Sequence, residues 1–526
     1  MNQSTDVIVI GAGHNALVAA CYLARAGLDV TVLEAHDRPG GMTATNPVIP
    51  EAPKHLINEG SIDSTLFRVS GIERELGLGR FGLRQKELDP MHAYLDPEGD
   101  SLCIWRDPCR TADEIRHFSR RDAQAWLDLA RTLDAAMDVV VPFMTTNPVR
   151  PNPRALLSAL KAVRGYRELW PLLHMMTASQ AEIVSERFEH PIVRAPLAGL
   201  PIFAPMDGDD TGWILIYLGM IHRYGLGRFI GGTGSLPRAL IGYLESKGGR
   251  VRTSTRVEEL LVESGRVTGV RIASGEELRA RAVVAGCNPK ITLTQLLPDG
   301  VLSPLWLERA AHIPTSRNPV SFFKLDLALK GRLGLPRHQA KRDDNVDLRA
   351  PISTMHTYEH YLKSWRQAQL GELPNPIPTL VTIPTAADPT QAPYDQDTFW
   401  FYSGLVPIRP REPWETLRDK AAQIVIDDCA RYFEGIEELE IGRMVRSPVD
   451  LTERFATLDG NIFHVDGVIQ RHGPLRPGWG LGGYRTPVLG LYLTGAGTHP
   501  SAGISGTAGK LAATVVIKEL RRNGSQ

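Results

Sequence analysis

Residues 6–42 read DVIVIGAGHNALVAACYLARAGLDVTVLEAHDRPGGM, and this stretch decides the fold. Asp6–Ile10 is a short β-branched run of the kind a buried parallel strand uses. Gly11-Ala12-Gly13-His14-Asn15-Ala16 follows at once, then a helix-like stretch to Ala26 with Gly27 as its stop. A second apolar run, Asp29–Leu33, ends in Glu34. Strand, glycine turn, helix, strand and acid succeed one another within the length of one βαβ unit. Gly11 permits the tight turn, and Gly13 lets backbone N–H groups approach a pyrophosphate. Ala16, in place of a third glycine, still allows the helix to pack closely on the strand. The helix start, with Asn15 in it, offers unpaired donors and a partial positive charge to phosphates. Glu34 is placed to accept from ribose hydroxyls, and its charge disfavours a 2′-phosphate. The fold class that follows is α/β, with a Rossmann-like dinucleotide-binding domain.

The chain continues Ala35-His36-Asp37-Arg38-Pro39-Gly40-Gly41-Met42. Two adjacent glycines so soon after the ribose acid extend the phosphate-binding surface, which a long FAD needs and an NAD does not. Two distant segments agree. Gly231-Gly232-Thr233-Gly234-Ser235 opens a helix-like stretch, after which strand-like runs carry Val257 and lead to a β-ribbon over Val267–Ile272 and Leu278–Ala285. Near the end, Leu491–Leu493 opens into Thr494-Gly495-Ala496-Gly497-Thr498-His499-Pro500-Ser501-Ala502-Gly503-Ile504. A glycine-rich turn before a helix places N–H donors against a developing anion, here the reduced edge of a flavin, with Gly503 and Ile504 as the contacting groups. Gly478-x-Gly480-x-x-Gly483 also satisfies the fingerprint, but lacks a preceding strand and reads as a loop. One dinucleotide site is therefore expected.

The 526 residues include 43% hydrophobic and 22% charged side chains, with 59 basic balanced by 59 acidic. Nothing in that balance marks a nucleic-acid partner. Cys21, Cys103, Cys109, Cys287 and Cys429 are scattered, without a CxxC pair, and no histidine cluster has metal-like spacing. A reduced, cytoplasmic setting without a bound metal is expected. No leader pattern is seen and no stretch approaches about 18 uninterrupted apolar residues, so any membrane contact is expected to be peripheral.

These three segments together resemble the phytoene desaturase-like flavoproteins, in the branch that holds the pyridine nucleotide-disulfide oxidoreductase domain proteins. The matching stretches are 6–42, 228–289 and 459–514, including Asp459–His464, Arg476-Pro477 and Tyr484-Arg485-Thr486-Pro487. The string from Glu34 resembles the group's E-x-x-x-R-x-G-G signature. That implies a lining of Ala35, Arg38, Gly40, Gly41 and Met42 along the pyrophosphate and ribityl, against a bland reading of Arg38 as a solvated turn residue. The same resemblance implies that the Val257 backbone meets the adenine; the alternative is a residue that fills a strand. Ser501-Ala502-Gly503 departs from the glycine run usual after His-Pro.

Because the cofactor segments are far apart, the FAD-binding domain is expected to be discontinuous: 1–85, 226–299 and 451–526. A mixed α+β substrate domain would take 86–225 and 300–450. The first block reads as mostly helical and interrupted at Pro142, Pro148, Pro151 and Pro153. The second carries strands such as Ser321–Leu327 and Thr379–Ile383. Arg154–Trp170 is basic, apolar and aromatic: an interfacial helix or entry lid, or an ordinary packed helix. The reaction implied is dehydrogenation (desaturation or oxidation) of a mainly apolar or semi-polar substrate by hydride transfer, with electrons passed to oxygen or a quinone. Rivals are a flavin-dependent isomerase, an amine oxidase, or a flavin-stabilised interaction protein. No catalytic cluster is visible. His499, His464, Tyr484 and His222 are the candidate catalytic residues, with Trp479, Arg223 and Tyr224 nearby. Each histidine is also open to a purely structural reading.

Overall fold

The architecture is that of a computed structural model, which describes residues 5–153, 157, 166–200, 212–501 and 503–523. At its centre the strand Thr5–Ile10 pairs in parallel with Val30–Leu33 on one side and Glu277–Ala285 on the other. Val30–Leu33 in turn pairs in parallel with Arg250–Arg252. The long strand Glu277–Ala285 changes partners along its length. Its first residues pair antiparallel with Arg266–Ile272, and its last ones pair in parallel with Leu491–Leu493. Four remote parts of the chain thus meet in one sheet, and the expected β-ribbon extends it, with Val257–Glu263 as its third strand.

The strands are buried on both faces, as their continuous apolar runs require. The helices His14–Arg25, Ser235–Ser246 and Thr507–Asn523 pack together over one face. Ala16 sits under Gly286, where a Cβ would come within 2.7 Å of its own, so close helix–strand packing is what this position demands. The helix His14–Arg25 stops where Gly27 turns to φ +88°.

A second seven-stranded sheet runs in the order Glu440–Arg446, Val320–Leu329, Thr398–Pro407, Leu380–Thr382, Ile352–Thr354, His92–Leu95, Ser101–Ile104. It is antiparallel except where Ile352–Thr354 meets His92–Leu95. The block 86–225 is therefore less purely helical than its sequence suggests, since the hairpin of His92–Leu95 and Ser101–Ile104 joins this sheet. The hairpin's strands are only four residues each, and its turn Asp96-Pro97-Glu98-Gly99-Asp100, with Gly99 at φ +93°, is the signal that the sequence reading passed over. The helix Arg120–Met144 also runs through Pro142 rather than ending before it, with one backbone donor missing near its C-terminal end. The Ser119 hydroxyl caps its start by accepting from the Asp122 N–H at 3.1 Å. Its buried stripe Trp126, Leu129, Leu133 and Met137 packs into the core. Of the stretch Arg154–Trp170, residues 154–156 and 158–165 lie outside the described residues, and Tyr166 opens the helix Tyr166–Thr177. No helix among the described residues is long and apolar enough to cross a membrane.

Candidate active site and cofactor groove

Two glycine turns build the groove floor. Gly11 turns at φ +88°, Gly40 at φ +127° and Gly41 at φ +53°. The Gly40 N–H donates to the Ala12 carbonyl at 3.0 Å, and Gly13 and Gly40 form a parallel bridge. A Cβ on Gly41 would rest 3.5 Å from the Gly13 Cα. The glycine segment before the helix Ser235–Ser246 closes in from the third side: the Thr45 hydroxyl accepts from the Gly234 N–H at 2.8 Å, and Pro237 backs Gly40. Glu34 is buried at the end of its strand. Its carboxylate accepts from the Ala12 N–H at 2.7 Å and the His36 N–H at 3.0 Å, while its backbone pairs with Arg252 and Thr255. This brings Val257, two residues beyond Thr255, to the same edge, buried among Ile10 and Leu33.

The floor fits an extended dinucleotide. A Cβ on Gly11 or Gly13 would meet nothing within 4 Å, so open space lies against the turn where a phosphate has to come. Asn15 Oδ1 and Thr494 Oγ1, beside the first and last glycine turns in the chain, are buried with no hydrogen-bond partner among the described residues. Ala35 and Arg38 are both exposed, and Arg38 keeps its Nε 3.6 Å from the Asp37 carboxylate.

From this floor the chain leads directly to a cavity. The Met42 carbonyl accepts from both the N–H and the hydroxyl of Ser61, and Met42 fills the space that a Cβ on Gly60 would take. Two residues on, Asp63 lines a cavity of about 420 Å³. The opposite wall is the C-terminal turn: Pro500, Ser501, Gly503 and Ile504. Gly503 turns at φ +94°, and its carbonyl lies 3.2 Å from His14 Nε2, which ties this turn to the first helix. Gly495, also left-handed at φ +94°, sits against the Gly286 carbonyl at the strand end. The remaining walls are mostly apolar. The helix Arg120–Met144 continues into Val140, Phe143 and Met144, which line the cavity together with Tyr217 and Met220 of Ile216–Tyr224.

The candidate catalytic residues separate. His499 is buried beside the C-terminal turn, its Nε2 3.0 Å from the Phe143 carbonyl and its ring edge-on to Phe143. Desolvation holds its imidazole at about 4, hence neutral at pH 7. The Tyr484 hydroxyl donates to the His499 carbonyl at 2.9 Å, and burial drives its pKa far up, so it props the turn and does not titrate. His464, at φ +62°, accepts at its carbonyl from Asn288 Nδ2, and desolvation with the charge of Arg476 lowers its imidazole to about 4. His222 does not line the cavity. Its Nδ1 lies 2.9 Å from the Arg106 carbonyl and its ring meets Trp126, while Arg223 pairs with Asp134 and Asp138. One helical turn decides this, since Tyr217 and Met220 take the inward face. Trp479 is exposed in a loop.

Sequence reasoning missed His472, which lines the cavity with its ring 4.4 Å from Trp213 and is held at about 3 by desolvation and Arg476. Arg476 itself is fully buried and staples the loop by donating to the carbonyls of Phe463, Val465, Asp466, Arg471 and Ala496. A buried charge cluster behind Gly60 was also missed. Glu59 receives Arg446 Nη2 at 2.6 Å and Arg454 Nε at 3.0 Å. Lys324 pairs with Asp326 beneath Trp400, whose Nε1 donates to the Gly60 carbonyl at 3.2 Å. The signal was present in Phe322-Phe323-Lys324-Leu325-Asp326-Leu327: two opposite charges, two residues apart, in an apolar strand.

Residues 9–61 match the model of the NAD(P)-binding Rossmann-like domain, and residues 149–517 match that of the flavin containing amine oxidoreductases. The chain is 29% identical to pyridine nucleotide-disulfide oxidoreductase domain-containing protein 2 of Mus musculus, over 98% of this chain and 94% of that one. It is 25% identical to the phytoene desaturase (neurosporene-forming) of Cereibacter sphaeroides, over 97% and 93%. An oxidoreductase of Methanosarcina mazei shares the fold with a TM-score of 0.61 at 15% identity, over 98% of this chain and 100% of that one.

Proposed function

Since the chain belongs to the flavin containing amine oxidoreductase family and is an FAD-dependent oxidoreductase, we propose that it dehydrogenates a mainly apolar organic substrate held in the cavity between Asp63 and Gly503. The observation that carries this reading is the wall itself: valine, phenylalanine, methionine, leucine and isoleucine surround a space that ends on the turn Pro500–Ile504. The phytoene desaturase relative, by its name, acts on a substrate of that character.

Gly11, Gly13, Asn15, Ala16, Glu34, Gly40, Gly41, Met42, Val257, Gly495, Gly503 and Ile504 would hold the FAD. Bound there, FAD supplies a two-electron acceptor for a substrate hydride. The chain's own residues do the rest. The apolar wall orients the carbon skeleton and excludes water. His499 and Tyr484 act as positioning residues, since one fixes Phe143 at the wall and the other fixes His499. His464 holds its loop through Asn288. We assign 1–85, 226–299 and 451–526 to the cofactor and 86–225 and 300–450 to the substrate, a division supported by the separate strands of the two sheets. Oxygen or a quinone takes the electrons onward. Phe143, Val149 and Leu173 leave apolar surface exposed near the cavity, and we assign them to peripheral contact with a lipid surface, from which an apolar substrate is delivered.

Anaerobic mixing of the purified flavin-loaded protein with a panel of alkenes, alcohols and amines tests the reaction. Bleaching of the flavin by an apolar donor is expected. A flavin that no such donor bleaches would speak for an interaction protein instead.

A further inference from the structure

Asp63 is the one carboxylate among the described residues that line the cavity. Asp63 faces a cavity otherwise surrounded mostly by apolar side chains. One of its oxygens accepts from the Thr65 N–H at 2.9 Å; the other has no hydrogen-bond or ion-pair partner among the described residues. Asp63 is half-buried at the cavity, so this second oxygen is open to a donor carried by whatever fills it.

The neighbouring charge narrows what that donor is. Arg228 is 2% exposed and donates to the Ile62 carbonyl and the Thr382 hydroxyl, each at 3.1 Å, while its Nε has no partner. Burial pulls its guanidinium down to about 10, and Asp63 is the acid that works against this. Held at the Ile62 carbonyl next to Asp63, Arg228 partly offsets the carboxylate's charge, which favours a neutral donor over a cation.

Resting on the reading of the cavity as the substrate site, we propose that Asp63 is its specificity-determining residue: it accepts a hydrogen bond from a hydroxyl carried on an otherwise apolar substrate. The substrate is then an alcohol-bearing hydrocarbon, neither a bare hydrocarbon nor primarily an amine.

The test titrates the flavin-loaded protein with decane, decanol and decylamine, reading the change in the flavin absorption spectrum. Decanol is expected to bind about tenfold tighter than decane, the worth of a hydrogen bond to a charged acceptor, and at least as tightly as decylamine. Asp63→Leu should erase the preference for decanol while leaving decane binding intact. Asp63→Asn keeps an acceptor for Thr65 and so guards against a folding defect; it should weaken decanol about threefold or more. Decanol binding unchanged in both variants, or equal affinities for decane and decanol in the parent, would overturn the assignment to Asp63 and leave the apolar cavity standing. Decylamine binding tenfold tighter than decanol would overturn the hydroxyl. If none of the three probes perturbs the flavin, the apolar-substrate reading itself fails, and this inference with it.

Discussion

Gly40 donates its backbone N–H to the carbonyl of Ala12 at 3.0 Å, so the turn after the first strand and the turn after Glu34 form one main-chain surface. At φ +127° Gly40 occupies backbone space that side chains rarely tolerate, and a Cβ there would press on the Ala44 backbone at 3.2 Å. Gly40→Val should therefore cost about 1–3 kcal/mol locally and cut the bound flavin about tenfold. The ratio of flavin to protein absorbance in the purified variant checks it; full occupancy would contradict the groove.

Glu59 predicts how stability responds to acid. Desolvation pushes its carboxyl up, but the hydrogen bonds and charges of Arg454 and Arg446 outweigh it and leave it at about 2. A carboxylate depressed in the folded state stabilises above its unfolded value of about 4.5 and loses that contribution as pH falls toward 2, here about 3 kcal/mol. Glu59→Gln should lower the melting temperature at pH 7, because two guanidinium groups lose their counter-charge, and should flatten the acid limb. Melting curves from pH 7 down to pH 3 measure both.

Met220 separates substrate from cofactor. It lines the cavity from the helix Ile216–Tyr224 and is not part of the glycine groove. Met220→Trp fills cavity space at a cost of about 1–3 kcal/mol. Flavin content should stay at the parental level while reduction by the best apolar donor slows at least tenfold. Loss of both together would mean that the cavity is not separate from the cofactor site.

The glycine turns were legible because only glycine meets the backbone angles they need, and because strand, helix and acid keep their spacing on either side. Ala16 was legible because a small residue is needed where the first helix packs against Gly286. His222 lies on the side of its helix away from Tyr217 and Met220, a facing that its neighbours in sequence do not reveal. Asp63 and His472 carry no local motif; only the folding together of residues 57–66, 137–144 and 467–504 makes them neighbours of one cavity. The pair Lys324–Asp326 was readable in principle, as charges in a buried run have to be paired.

His499 gives a prediction of the opposite kind. Its imidazole, lowered to about 4, declines a proton that the unfolded chain accepts near 6.5. Stability is thus present above pH 6.5 and falls as pH drops toward 4, by about 3 kcal/mol from this group. His499→Gln retains a donor for the Phe143 carbonyl and should remove this part of the pH dependence, with the pH profile of flavin reduction unchanged between pH 6 and 8. A lost limb in that range would restore His499 to acid–base work.

The central claim is that the cavity beside Gly503 is where substrate meets flavin. A crystal structure of the flavin-loaded protein tests it most directly. The account requires the pyrophosphate on Gly13 and Gly40, and the flavin ring against Gly503 and Ile504 with one face open to the cavity that Asp63 lines. A ring walled off from that cavity, or facing a different opening, would contradict it.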